Sequence, residues 1–564
     1  MDRASRLKSL LGRAYFPKEL PRVFTTTDFA DHADQIVEEW KAAKLVSVKA
    51  ASKIPATGAK KSGSYSYNLK AWADPEIIST PKKGYERRNL HITHPIPQAL
   101  LAQEIASNWG TITKWLSRNR FSIDRVEISS DQKRGIKPLN FEAHRAKKEY
   151  IAAQSDWVVR TDITRFYPSI YTHSLSWAAY GKEKVKGNRS LYDGALADRL
   201  DQLVRFCNRG QTVGIPIGPE TSRILADILS SRIDCEFEEK FSEVSSAQID
   251  RLQDDWFVGA TDLNQAERAL SAISQTYRGY GLDINGSKTA VERIISPFQE
   301  VWKEELASFL SHTSRLTGAR LREFLQLSLR LQLDSPYAPV ISYALSVIEG
   351  RSIKTQDLET VETFLIRSAS VSPGALNRIC ALLINLQHDY KRISMARIRL
   401  RFTELACRHI QNGNHYEVVW LLFTLRGLKI SLNSKFLCEA AETVNSSAII
   451  LILLDMADKG LVWNKLPTAN WEAQISQQGT IGNWSWLYAY EAIRKGWLKD
   501  TSNVLTSPFF AAMDKRDVVF YDPNKNVNPR KQAVAARRRQ SNSNKRESLM
   551  LLSFLRGFDF GDYD

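Results

Sequence analysis

The chain has 564 residues, enough for two to four domains with sizeable cores. A formal net charge of +16 and a pI near 9.4 suit a polyanionic partner such as nucleic acid. Five scattered cysteines without a CxxC pair exclude a zinc ribbon or a disulfide framework and fit a reducing compartment. The start, Met1-Asp2-Arg3-Ala4, lacks an apolar signal core, and the most apolar run, residues 448–454, is too short for a bilayer. The expectation is a soluble intracellular protein with no membrane partner.

Residues 1–84 read as a helical and basic extension. Leu7, Leu10 and Leu11 recur at helical spacing among Arg3, Arg6, Lys8 and Arg13 and predict a short amphipathic helix, ended by Pro17 and Pro21. A second helix is expected over 28–45, capped by Asp28, with Phe29, Ile36, Val37 and Trp40 on one face. Residues 49–83 are expected to be a polar loop. Its lysines (Lys53, Lys60, Lys61, Lys70, Lys82 and Lys83) alternate with Tyr65, Tyr67 and Trp72, a composition that suits phosphate contacts and base stacking as well as a solvated loop. A strand near 87–91 and a helix from Pro97 should follow, then a hairpin through Lys133-Arg134-Gly135-Ile136-Lys137-Pro138. His91, His94 and His144 have no ligand-like partner at helical spacing and read as structural histidines.

The chemistry concentrates between 158 and 289. Val158-Val159-Arg160-Thr161 is a short apolar strand that ends on Asp162. Gly214-Ile215-Pro216-Ile217-Gly218-Pro219 is a Gly/Pro loop running into a helix that starts near Thr221 or Ser222. Asp254-Asp255 interrupts the apolar run around Ile249 and Trp256-Phe257-Val258, the pattern of a tight hairpin with carboxylates at its turn. Residues 280–289, with Gly281, Gly286 and Lys288, are expected to form a Gly-rich strand carrying a lysine. An Asp-Asp pair alone is most often a surface turn. Three carboxylates buried at strand ends, however, are costly unless neutralised, and two Mg²⁺ ions would do this. Such a pair suits in-line displacement at phosphorus.

In this order, the four stretches resemble motifs A to D of the reverse transcriptase palm. Asp162-Ile163-Thr164-Arg165-Phe166-Tyr167-Pro168, the Gly214–Pro219 loop and the basic insertion Lys182, Lys184, Lys186 and Arg189 are most similar to the bacterial defence-associated, abortive-infection (AbiK-like) branch. The resemblance implies a right-hand-like α+β fingers and palm over 85–300, cytoplasmic location in a bacterium, and DNA synthesis from dNTPs in antiphage defence. It implies Asp162, Asp254 and Asp255 as ligands of two Mg²⁺ ions (Mn²⁺ as substitute), and Lys288 as general acid for pyrophosphate. Tyr167 would be the steric gate under the sugar, with Phe166, Ile217 and Gly218 in the nucleotide site. Among Lys133, Arg134 and Arg145, the sequence leaves open which meets the triphosphate. It further implies a DNA product, a noncoding RNA as template or none at all, a protein hydroxyl as primer in some members, and a homo-oligomer. Three positions depart from the family pattern: Leu252 for an aromatic, Ile217 for a glutamine, and bulky Trp256 expected near a primer terminus. None is a metal ligand; they bear on template-directed fidelity.

Residues 301–520 carry no catalytic constellation and read as helices throughout. Apolar helices end in Arg426-Gly427-Leu428, Lys459-Gly460-Leu461 and Lys495-Gly496-Trp497, with the glycines 33 and 36 residues apart and Gly350 as an earlier member. This spacing predicts stacked helical pairs, an α-solenoid resembling HEAT-type repeats. Residues 521–564 form a basic tail (Arg530, Lys531, Arg537, Arg538, Arg539, Lys545 and Arg546) with an apolar and acidic end, where Tyr521, Tyr563 or a serine is a candidate primer. The alternative to a polymerase is a nucleic-acid-binding sensor with an inactive palm. An RNA-dependent RNA polymerase is disfavoured by Tyr167.

Overall fold

A computed structural model describes residues 1–50, 65–70, 73–82, 84–129, 134–294, 301–311, 315–349, 351–478 and 483–527. Lys53, Lys60, Lys61, Trp72, Lys83, Lys133, Gly350 and the tail from 528 on, with its arginines and Tyr563, lie outside these. Near the N-terminus, β1 (Val46–Ala50) pairs with β2 (Tyr65–Leu69), and β3 (Glu76–Pro81) with β4 (Arg87–Ile92), both antiparallel. The sheet that carries Asp162 and Asp254-Asp255 at its strand ends is four-stranded and antiparallel, made of β5 (Trp157–Thr161), β6 (Ile249–Leu252), β7 (Asp255–Ala260) and β8 (Ala290–Arg293), in the order β6-β7-β5-β8.

Both faces of this sheet are covered, which is why its inner strands read as continuous apolar runs rather than alternating ones. Val159 lies opposite Val258 in the β5–β7 ladder, and with Trp256 they join the main core, where the helices Thr221–Lys240 and Leu263–Arg278 pack. On the other face Val158 and Phe257 close on Ile151 of the helix Phe141–Ala153. Gly259 permits this approach: a Cβ there would lie 2.1 Å from Ser155 Oγ and 2.6 Å from Ile151 Cγ2.

Several expectations are revised. The second helix is Thr27–Ala42, and the Asp28 carboxylate accepts the Val519 N–H at 3.2 Å instead of capping its own helix. Within 49–83, residues 49–50, 65–69 and 76–81 are strands of the two hairpins, not a polar loop. The Tyr65 and Tyr67 hydroxyls both donate to Glu104 Oε1, and Glu104 is paired with Arg199 at 3.0 Å, so these rings are committed to the fold rather than to base stacking. Residues 280–289 form no strand: Ile284 makes a single bridge to Ile163, Gly286–Lys288 is one 3₁₀ turn, and β8 begins only at Ala290. Trp256 points into the core, its indole N–H donating to the Tyr277 hydroxyl at 2.9 Å, so its bulk is directed away from the hairpin turn.

In the C-terminal region the helices His415–Gly427, Ser447–Asp458 and Trp486–Arg494 pack in succession. Each ends in a left-handed residue, but these are Lys429, Gly460 and Gly496, at φ of +57°, +68° and +71°. The N–H of Ile430, Leu461 and Trp497 closes back on Leu425, Met456 and Ala492, each at 2.8 Å. Gly427 is therefore not the cap. It is small because a Cβ would come within 2.8 Å of Ile384 Cδ1.

The N-terminal segment meets residues 509–521. Phe24 bridges Tyr521, the Thr25 N–H donates to the Phe520 carbonyl at 2.9 Å, and the Trp40 indole donates to the Phe509 carbonyl at 3.0 Å. Tyr521 is fully buried and donates to Asp455 at 2.7 Å, which removes it as a primer. Arg87 joins the β3–β4 hairpin to the helical region through Glu417 at 2.7 Å. Among the described residues no helix is long and apolar enough to cross a membrane.

Candidate active site

Asp162 leaves the end of β5 and Asp255 opens β7. Thr161 is paired with Trp256, so one further step along the ladder puts Asp162 beside Asp255, with Asp254 in the turn before it. Asp162 and Asp254 are only 4% and 3% exposed. Lys288 reaches back from its 3₁₀ turn and donates to Asp162 Oδ2, while Asp255 and Asp254 also act on its charge. Burial pulls the lysine pKa down, but the bond to Asp162 and the three carboxylates outweigh it and raise it, so the ammonium persists at neutral pH.

Among the described residues no three His, Cys, Asp or Glu side chains are drawn into a formed metal-binding group. The donor chemistry nevertheless fits a hard divalent cation: the facing groups are carboxylates, and Asp162 Oδ1 is buried without a hydrogen-bond partner among the described residues. The Asp162 backbone is pinned by the Asn285 N–H, which donates to its carbonyl at 2.6 Å.

The Asp-Asp turn is braced from beneath. Arg251 is buried and forms a two-pronged bond to Asp234, Nε to Oδ1 at 2.6 Å and Nη2 to Oδ2 at 2.8 Å. Its remaining Nη1 donates to the Gln253 carbonyl at 2.6 Å, holding a non-glycine residue at φ +56° next to Asp254. On the same strand Asp250 is fully buried and bonded to His144 Nδ1 at 2.8 Å, and His144 Nε2 lies 3.3 Å from Asp124 without hydrogen-bond geometry. Burial pulls the His144 pKa down, yet Asp124 and Asp250 outweigh it and raise it above the ordinary value.

A pocket of about 170 Å³, which meets the Asp-Asp turn at Gln253, is lined by Tyr167, Ile217, Gly218, Gln253, Arg134 and Arg223, among others, and by none of the three aspartates. Tyr167 enters it from the short helix Phe166–Ser169, which follows Arg165 at φ +46°. Gly218 has φ +132°, and a Cβ there would lie 2.8 Å from the His91 carbonyl and 2.9 Å from Pro17 Cγ, so only glycine fits. His91 fixes this loop from both sides: its Nδ1 accepts the Ile217 N–H at 3.0 Å, and its own N–H donates to the Ile217 carbonyl at 2.6 Å. Burial lowers its pKa, in keeping with a neutral structural histidine.

Of the predicted nucleotide-site residues, the pocket gathers Tyr167, Ile217, Gly218 and Arg134. Phe166 is not in the lining; its ring is buried and edge-on to Tyr167 at 5.6 Å. Arg145 is spent on Glu149 at the surface. Sequence reasoning missed Gln253, Arg223, Arg88, Arg13 and Lys18, all in the lining. Arg223 lies in the first turn of the helix after the Gly/Pro loop and Gln253 next to Asp254, so motif proximity could have found both. Nothing local marks Arg13 and Lys18, which the fold carries in from the N-terminal segment.

Residues 114–314 match the family described as Reverse transcriptase (RNA-dependent DNA polymerase), a span that includes Asp162, Tyr167, Gly218, Asp254, Asp255 and Lys288. This stretch is a reverse transcriptase domain, and the protein is an enzyme of the nucleotidyltransferase class. A telomerase from Candida albicans, solved with a TWJ fragment of telomeric RNA, is similar over 74% of this chain and 68% of that one, at 13% identity. Its TM-score of 0.27 is too low to carry an argument. No curated protein matches the chain.

Proposed function

We propose that the chain is a defence-associated bacterial DNA polymerase of the abortive-infection type, cytoplasmic, that builds DNA from dNTPs on an RNA template or without one. The observation that carries the polymerase reading is a single one: Asp162, Asp254 and Asp255 meet at Lys288, beside a pocket lined by Tyr167, Gly218 and arginines. Asp162 and Asp254 would hold both divalent ions, with Asp255 alongside. When bound, a Mg²⁺ pair (or Mn²⁺) lowers the pKa of an attacking hydroxyl and neutralises the pyrophosphate. Lys288, freed from Asp162, is positioned to give its proton to the leaving pyrophosphate oxygen. Arg134 and Arg223 balance triphosphate charge, and the Tyr167 ring excludes a 2′-hydroxyl.

The helical region, whose successive helices share one capping geometry, supports a HEAT-like solenoid that guides product or RNA, or assembles copies of the chain. With Tyr521 buried, Tyr563 or a tail serine is the remaining candidate for a protein primer. Incubating the protein with Mg²⁺ and radiolabelled dNTPs, with and without RNA, tests this. Incorporation is expected. Product made without RNA places the enzyme in the untemplated group, and label that disappears on protease treatment indicates a protein primer. An absence of incorporation under every condition favours the sensor reading.

A further inference from the structure

The turns that follow the helices His415–Gly427, Ser447–Asp458 and Trp486–Arg494 carry a pattern that the palm does not use. Each sets an aromatic residue beside a lysine: Lys435-Phe436, Trp463-Asn464-Lys465 and Trp497-Leu498-Lys499, the last two sharing a Trp-x-Lys spacing 34 residues apart. The fold brings the three turns to one edge. Leu432 bridges Val462 in parallel, the Leu432 N–H donates to the Leu461 carbonyl at 2.7 Å, and the Trp463 N–H donates to the Leu432 carbonyl at 3.1 Å. Asp458, which ends the second helix, and Trp497 line one cavity of about 670 Å³. Phe436 is 43% and Trp463 65% exposed, Trp497 is half-buried at the cavity, and the three lysines are exposed. Large rings left in water at matching places after successive helices mark a surface that a partner covers. Glu417, which binds Arg87, stands in the first turn of the helix His415–Gly427, so this edge, at the far end of that helix, is roughly 15 Å from the β3–β4 hairpin contact.

We propose that this edge binds single-stranded nucleic acid, with bases stacked on Phe436, Trp463 and Trp497 and phosphates held by Lys435, Lys465 and Lys499. The proposal deepens the reading in which the helical region guides product or RNA, and rests on it for the origin of the strand. A ring stacks on any base, but only where that base is unpaired, so a duplex does not use these faces. Lysine meets each phosphate as a point charge and asks for no sequence. Asp28, Asp458 and Asp522 also line the cavity at Trp497, which disfavours a phosphate inside it and suits the amino group of a base. A second copy of the chain is the poorer occupant: a symmetric contact would set the same lysines against each other in a protein of net charge +16.

The test is fluorescence anisotropy of the full chain with labelled oligo(dT) and oligo(U) of about 20 nucleotides, at several salt concentrations and without dNTPs or divalent ions. Trp463→Ala should weaken binding at least about fivefold, and Trp463→Phe, which keeps a stacking face, should retain most of it. Lys435→Gln/Lys465→Gln/Lys499→Gln should lower the slope of log affinity against log salt by about 2. Iodouracil placed in the oligonucleotide should photo-crosslink to Trp463 or Phe436, and melting curves check that each variant is folded. Tighter binding of oligo(U) assigns the edge to RNA, tighter binding of oligo(dT) to the DNA product, and either supports the proposal. Affinity and slope unchanged in the folded variants, with crosslinks confined to the palm, overturn it. So does a dimer that Trp463→Ala dissociates while oligonucleotide binding stays the same. With neither dNTP nor metal present, these results leave the polymerase reading to the incorporation assay.

Discussion

Replacing Arg251 by methionine tests whether the Asp-Asp turn is held by a buried ion pair. The guanidinium is 2% exposed and Asp234 fully buried, and two bonds of 2.6 and 2.8 Å join them. Methionine fills much of the volume but leaves the Asp234 carboxylate with the Arg120 N–H at 3.1 Å. An uncompensated buried charge of this kind typically costs about 3–5 kcal/mol. For a domain of this size that corresponds to a fall in melting temperature of roughly 10 °C. The double variant Arg251→Met/Asp234→Leu removes both charges, and replacing a buried pair by apolar groups is close to neutral, so it should regain at least half of the loss. It should still polymerise poorly, because the bond from Arg251 to the Gln253 carbonyl is gone and the turn at φ +56° loses its brace. Thermal and denaturant unfolding give stabilities, and single-nucleotide incorporation gives kcat. A single variant within about 1 kcal/mol of wild type, or a double variant no more stable than the single, refutes the argument.

Two further outcomes follow from the same geometry. Gly218→Ala forces a Cβ against the His91 carbonyl at φ +132°, so it should lose roughly 2–4 kcal/mol of stability and raise KM for dNTPs, measured by unfolding and steady-state kinetics. His144, with a folded pKa raised by Asp124 and Asp250, gives stability that is fully present below its ordinary value of 6.5 and lost as pH rises through the folded value. The advantage of wild type over His144→Gln, about 3 kcal/mol at pH 6, should therefore shrink toward pH 9; an advantage that grows contradicts the assignment.

The parts of this enzyme that were legible in the sequence share a cause. β5, the β6–β7 hairpin and the helix Thr221–Lys240 are written in local patterns, apolar runs closed by Asp162, Asp254-Asp255 or a Gly/Pro loop, and the proposed metal ligands stand at those closures. What escaped was set by distant contacts. Trp256 is expected near a primer terminus from its place after two aspartates, yet the Tyr277 hydroxyl and the rings of Phe121 and Phe237 hold it in the core. Tyr65 and Tyr67 suit either base stacking or a solvated loop in sequence, because nothing nearby reveals Glu104. The capping residue after the helix His415–Gly427 was misplaced by two positions, since Lys429 adopts the left-handed conformation that composition assigned to glycine. Residues 280–289 lack the β-branched content of a strand, and the turn they form instead carries Lys288 to Asp162.

Divalent-cation-dependent nucleotide transfer by wild type and Asp254→Asn, on matched folded protein, tests the central claim most directly. The carboxylate is nearly isosteric with the amide, so packing in the turn is kept while a negative oxygen ligand is lost. The account predicts DNA product from the wild type with Mg²⁺ or Mn²⁺ and none from Asp254→Asn. Product that persists in the variant would contradict it, because the carboxylates gathered around Lys288 would then not be where the phosphodiester bond is made.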